Sequence, residues 1–117
     1  MQPKAQRLAN EMALWVWDSY KLYLYITETT TTKGEDDALQ RVSSTHRDGR
    51  AFDVRIIDPI SGKRVLSEDV IAKLCAYFRK KYPNLGAVSG DTRDRNLIVY
   101  RPHGSGPHLH IQIKRNA

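Results

Sequence analysis

At 117 residues the chain has the length of one domain and is too short for two. Hydrophobic residues make up 40% and charged residues 27%, so a packed core is expected and global disorder is excluded. The single cysteine, Cys75, rules out an intramolecular disulfide, and a formal net charge of +6 attracts polyanions of any kind without choosing among them.

Pro3 and the recurrence of Leu8, Met12, Trp15 and Val16 predict a helix over residues 3–18 that covers a sheet. Its apolar run, Met12 to Trp17, lies between Glu11 and Asp18. The run is too short for a membrane span and lacks the form of a signal-peptide core. The product is therefore expected to be made in the cytoplasm without a signal peptide, with export left to another agent.

Over residues 20–27 the period changes to two, with Leu22, Leu24 and Ile26 alternating with Lys21, Tyr23, Tyr25 and Thr27. This predicts a strand with one apolar face. Residues 29–40 have loop composition, with Gly34 followed by Glu35, Asp36 and Asp37. Phe52, Val54 and Ile56 alternate with Ala51, Asp53 and Arg55, a second strand that ends at Asp58-Pro59 and projects Asp53 away from the apolar face.

Ser67 as cap, Glu68 and Asp69 in the first turn and Lys80 and Lys81 in the last predict a helix over 68–81. Val70, Ile71, Leu74, Cys75 and Phe78 would form its buried stripe. Residues 97–101 and 109–114 read as two further strands, separated by the Gly/Pro-rich segment 102–107. The order implies a single α+β domain over residues 1–117, with a mostly antiparallel sheet and helices packed on one face.

Charge and chemistry concentrate in the second part of the chain. Residues 1–40 carry 4 Lys/Arg against 6 Asp/Glu, whereas residues 41–117 carry 15 against 7 and hold all four histidines. That part has no aromatic-basic RNA-binding pattern, helix-turn-helix signature or zinc-finger cysteines, so nucleic acid is not expected as a partner. Instead, His46 and Asp53 stand seven residues apart with Gly49 between them, where the backbone must turn sharply or approach a neighbour closely. Near the C-terminus, His108, His110 and Gln112 share one strand face while Leu109, Ile111 and Ile113 share the other. The two imidazoles are then roughly 7 Å apart, at about 3.4 Å per residue. Two histidines with one carboxylate make a common catalytic zinc set with a coordination position left for water. A further histidine nearby could carry a proton to a leaving amine.

The pattern Ser-x-His-x-x-Gly-x-Ala-x-Asp at residues 44–53, followed by His-x-His at 108–110, resembles the VanY-type D-Ala-D-Ala carboxypeptidase family. That family includes phage L-alanyl-D-glutamate endopeptidases, and its wider superfamily includes lysostaphin-like enzymes and the hedgehog signalling domain. The resemblance spans roughly residues 22–113 and includes the Ile-Thr-Glu-Thr segment at 26–29.

It implies a hedgehog/DD-peptidase-like fold with Zn2+ held by His46, Asp53 and His110. His108 matches the histidine that assists catalysis; a fourth metal ligand or a solvent-facing strand residue are the other readings of that position. Ser44 and Gly49 match positions that shape the ligand loop. Relatives commonly carry an arginine for a substrate carboxylate just after the Ile-Thr-Glu-Thr-like strand, where this chain has Thr30, Thr31 and Thr32. Arg41 and Arg50 are the candidates for that role, and Ser44 and His103 join them as candidate substrate-binding residues. Where relatives often place an acidic residue three positions before the last ligand, this chain has Pro107, which leaves His108 as the preferred general base.

The function implied is a zinc metallopeptidase acting as a monomer on the peptidoglycan stem peptide, as an endopeptidase or a D,D-carboxypeptidase. By the same resemblance it would be a phage or prophage endolysin that reaches the wall after holin-like release or as a phage component. The alternative is a catalytically silent zinc-binding domain of the same fold that binds cell wall or a protein partner.

Overall fold

The N-terminal helix α1 spans Pro3–Tyr20, with the proline in its first turn where no backbone N–H is needed. The computed structural model of the chain describes residues 2–28, 49–65, 67–88, 95–101 and 108–115. Ala5, Leu8, Ala9, Met12 and Val16 form the buried stripe of α1, at the spacing expected of one helical face. The helix runs past residue 18 because nothing after Asp18 breaks it until Lys21, which takes a left-handed φ of 56° and returns its N–H to Trp17 O. Tyr20 therefore packs edge-on to Trp15, with ring centroids 5.7 Å apart, instead of opening the strand.

Strand β1 (Tyr23–Glu28) pairs antiparallel with β2 (Ala51–Ile57), and the register shifts between Ile26 and Glu28. Gly49, at φ +73°, makes the left-handed turn that leads into β2, a conformation glycine adopts without a Cβ clash. After β2 the Asp58 carboxylate accepts the N–H groups of Ile60 and Ser61 at 2.8 and 3.3 Å. The chain then returns alongside β2, where Val65 N–H bonds to Ile56 O.

Helix α2 spans Glu68–Lys81, matching the bounds set by its charges, with Glu68 and Asp69 in the first turn and Arg79, Lys80 and Lys81 in the last. Ser67 stands at the cap position, but its hydroxyl makes no capping bond among the described residues. The terminal charges and the buried stripe of Val70, Leu74, Cys75 and Phe78 hold the helix instead. Burial pushes the Cys75 thiol pKa up, against a smaller opposing effect of Arg79, so Cys75 is an inert core residue. The two helices meet through Trp15, stacked on Tyr77 at 5.4 Å and edge-on to Phe78 at 6.1 Å. Beside them Glu11 accepts hydrogen bonds from Lys81 and Tyr82. Burial would raise the Glu11 pKa, but those bonds and the Lys81 charge outweigh it and hold the carboxyl below its ordinary value.

A two-residue ribbon follows, β3 (Ala87–Val88) with β4 (Arg95–Asn96). Such short strands carry no readable periodicity, and the sequence did not predict them. Gly86 precedes the ribbon so close to the chain at residues 96–97 that a Cβ would lie 2.4 Å from Leu97 N. Strands β5 (Ile98–Arg101) and β6 (His108–Gln112) complete an antiparallel sheet of order β1-β2-β6-β5.

Among the described residues the architecture is a small α+β fold of two helices and this four-stranded sheet. Phe52, Val54 and Ile56 of β2 and Leu109 and Ile111 of β6 join Met12, Val16, Leu74 and Phe78 in one core. Both helices thus cover the same face. Burying each of these larger apolar side chains stabilises the fold by about 1.5–3 kcal/mol. The opposite face of β2 and β6 carries the polar residues. No helix among the described residues is long and apolar enough to cross a membrane.

Candidate metal centre

Strand pairing brings together two of the residues singled out by the sequence. Asp53 in β2 lies directly opposite His110 in β6. Ile113 N–H donates to Arg50 O, and the antiparallel alternation from that pair makes Asp53–His110 a non-hydrogen-bonded pair. Cα atoms in such pairs approach to about 4.5 Å and the side chains crowd. The Asp53 Oδ1 and His110 Nδ1 atoms are 2.9 Å apart, and the residues are 6% and 8% exposed. His108, two residues along the same face of β6, brings Nε2 to 3.9 Å from Asp53 Oδ2 and remains half-buried. The Thr27 hydroxyl donates to Asp53 O at 3.4 Å, where β1 shifts register.

Gln112, the third polar residue that β6 presents on this face, is also buried. Its amide nitrogen donates to Ala87 O at 3.2 Å and to Asn96 O at 2.9 Å, and its Oε1 lies 3.1 Å from His110 Nε2. Reasoning from sequence put Gln112 on the histidine face and assigned it no role. The strand alternation that located the histidines was the available signal.

Arg50 is 7% exposed and commits one guanidinium N–H to Ile113 O at 2.9 Å, so at least part of this candidate substrate-binding residue ties the start of β2 to the end of β6. His46, Ser44, Arg41 and His103 lie outside the described residues, as does the Thr30 to Thr32 segment. Among the described residues no group of three His, Cys, Asp or Glu side chains could hold a metal ion; His108 stands about one ångström beyond the Asp53–His110 spacing.

The spacing of the two described donors, Asp53 and His110, can be compared with that of zinc ligands. Bonds of about 2.0–2.1 Å to tetrahedral zinc separate neighbouring donor atoms by about 3.3 Å. The Asp53–His110 pair, at 2.9 Å, needs to open by only a few tenths of an ångström. A carboxylate oxygen and an imidazole nitrogen are both donor types that zinc takes, and the buried face limits competing solvent.

Comparison of the chain with family models, curated proteins and solved structures finds no match.

Proposed function

We propose that this chain is a zinc-dependent metallopeptidase of hedgehog/DD-peptidase-like fold that hydrolyses a peptide bond in the peptidoglycan stem peptide, as a phage or prophage wall-lysis enzyme would. The observation that carries the reading is the buried Asp53–His110 pair with His108 beside it on one polar sheet face. It supports the reading because the same three residues belong to the two sequence motifs of the VanY-like resemblance. His46 is the third metal donor by that resemblance alone.

Bound by these residues, zinc would supply a Lewis acid for the scissile carbonyl and acidify a water toward a pKa of about 7. The chain's own groups do the rest. Asp53 and His110, fixed on adjacent strands, hold the donor pair close to the geometry it needs, with only a few tenths of an ångström to open. His108 Nε2 stands 3.9 Å from Asp53 Oδ2, beside the donor pair. In this reading it takes a proton from the attacking water and passes it to the departing amine, as a general base and then a general acid. The net reaction consumes one water and yields a free carboxylate and a free amine.

Incubation of zinc-loaded protein with purified sacculi tests this. Free amines are expected to accumulate, to stop on chelation and to resume when zinc is restored, with muropeptide mass spectra locating the bond. Zinc-loaded protein that releases no amine from intact or solubilised wall would reject the hydrolase and leave a silent zinc-binding domain.

A further inference from the structure

The β6 face ends in Gln112, whose carboxamide is held from both sides. Ala87 and Asn96, whose carbonyls receive the amide nitrogen at 3.2 and 2.9 Å, are paired across the β3–β4 ribbon. Flipping the amide would set its oxygen against two carbonyl oxygens, so the NH2 end stays on the ribbon and Oε1 faces His110 Nε2 at 3.1 Å. An amide oxygen only accepts, so the hydrogen in that contact belongs to Nε2. A neutral imidazole has one N–H, which leaves the lone pair on Nδ1, the atom 2.9 Å from Asp53 Oδ1. Two acceptors at that distance require a positive centre between them, a metal ion or a proton.

We propose that Gln112 is the positioning residue of this centre. Through a carboxamide oriented by the β3–β4 ribbon, it holds His110 in the Nε2–H form and directs the Nδ1 lone pair at Asp53, making Nδ1 the donor to a divalent metal. A metal-bound histidine generally gives its other N–H to such an acceptor, and removing the acceptor weakens metal binding. The ribbon, too short to add much to the core, thereby gains a purpose: its two carbonyls choose which histidine nitrogen is available. The inference relies on the metallopeptidase reading for the metal, while the assignment of the hydrogen stands on the described contacts.

The test is a long-range proton–nitrogen correlation spectrum of the 15N-labelled chain with and without zinc, together with competitive zinc titration of wild type and Gln112→Leu. His110 Nε2 is expected to carry a hydrogen directed at Gln112 in both states, with zinc taking the place of the proton between Nδ1 and Asp53 and shifting the Nδ1 resonance. Gln112→Leu is expected to bind zinc about 10–100-fold more weakly and to lose the single tautomer. A neutral His110 with its hydrogen on Nδ1, or a folded Gln112→Leu variant that binds zinc within about twofold of wild type, overturns the proposal. The wild-type spectrum decides the matter even if the variant does not fold. If wild type binds no zinc, the metallopeptidase reading fails, and the position of the His110 hydrogen still tests Gln112.

Discussion

Asp53→Ala is expected to lose zinc while keeping its metal-free fold. Structural zinc sites contribute about 10–16 kcal/mol in total, or roughly 2.5–4 kcal/mol for each of four donors. Removing one donor should therefore weaken zinc binding by about 100–1000-fold. Hydrolysis should fall by at least as much at limiting zinc, since the same residue contributes to both metal and geometry. The metal-free chain behaves differently. Asp53 is buried, and breaking a buried ion pair can cost about 3–5 kcal/mol when the remaining charge is trapped. With the carboxylate removed, His110 loses the Asp53 contact and keeps the one to Gln112. The loss is then nearer the roughly 1–3 kcal/mol of an unsatisfied buried hydrogen-bonding group. Competition against a chromophoric chelator measures the first effect, and urea unfolding in excess chelator measures the second. An alanine variant that holds zinc as tightly as wild type would remove Asp53 from the ligand set.

The opposite separation is expected for His108→Ala, which should keep zinc and lose turnover. Its Nε2 lies 3.9 Å from Asp53 Oδ2, farther out than His110, where it can meet a substrate without belonging to the donor pair. A positioned general acid–base group contributes about 10²–10⁴-fold to rate, so kcat should fall within that range, with zinc affinity changed by less than about the tenfold or more lost with a metal-supporting residue. Paired measurements of zinc affinity and amine release from sacculi distinguish the roles. A comparable loss of both would make His108 a ligand; undiminished release would make it a bystander.

Sequence revealed much of this geometry because local patterns carry it. Helix α2 was readable in full, since its acidic start, basic end and apolar stripe agree. Alternation in β2 separated Asp53 from Phe52 and Val54, and alternation in β6 put His108 and His110 together. Alternation does not reveal which residue faces which across strands. Asp53 and His110 are 57 positions apart in the chain, and their opposition depends on the β2–β6 register, a tertiary property. The β3–β4 ribbon escaped because two-residue strands have no period. With it went the role of Gln112, which depends on carbonyls from Ala87 and Asn96. Tyr20 was assigned to the strand because its residue type suits both states, and the left-handed turn at Lys21 decided for the helix. His46, contributed by the motif, lies outside the described residues.

The central claim is that one zinc ion is shared by Asp53, His110 and His46. Zinc-edge X-ray absorption on protein dialysed after loading addresses it most directly. The account predicts one zinc per chain, bound by two imidazoles with the remaining donors all oxygen and none sulfur. Substoichiometric zinc after dialysis, or a first coordination sphere without paired imidazoles, would contradict it.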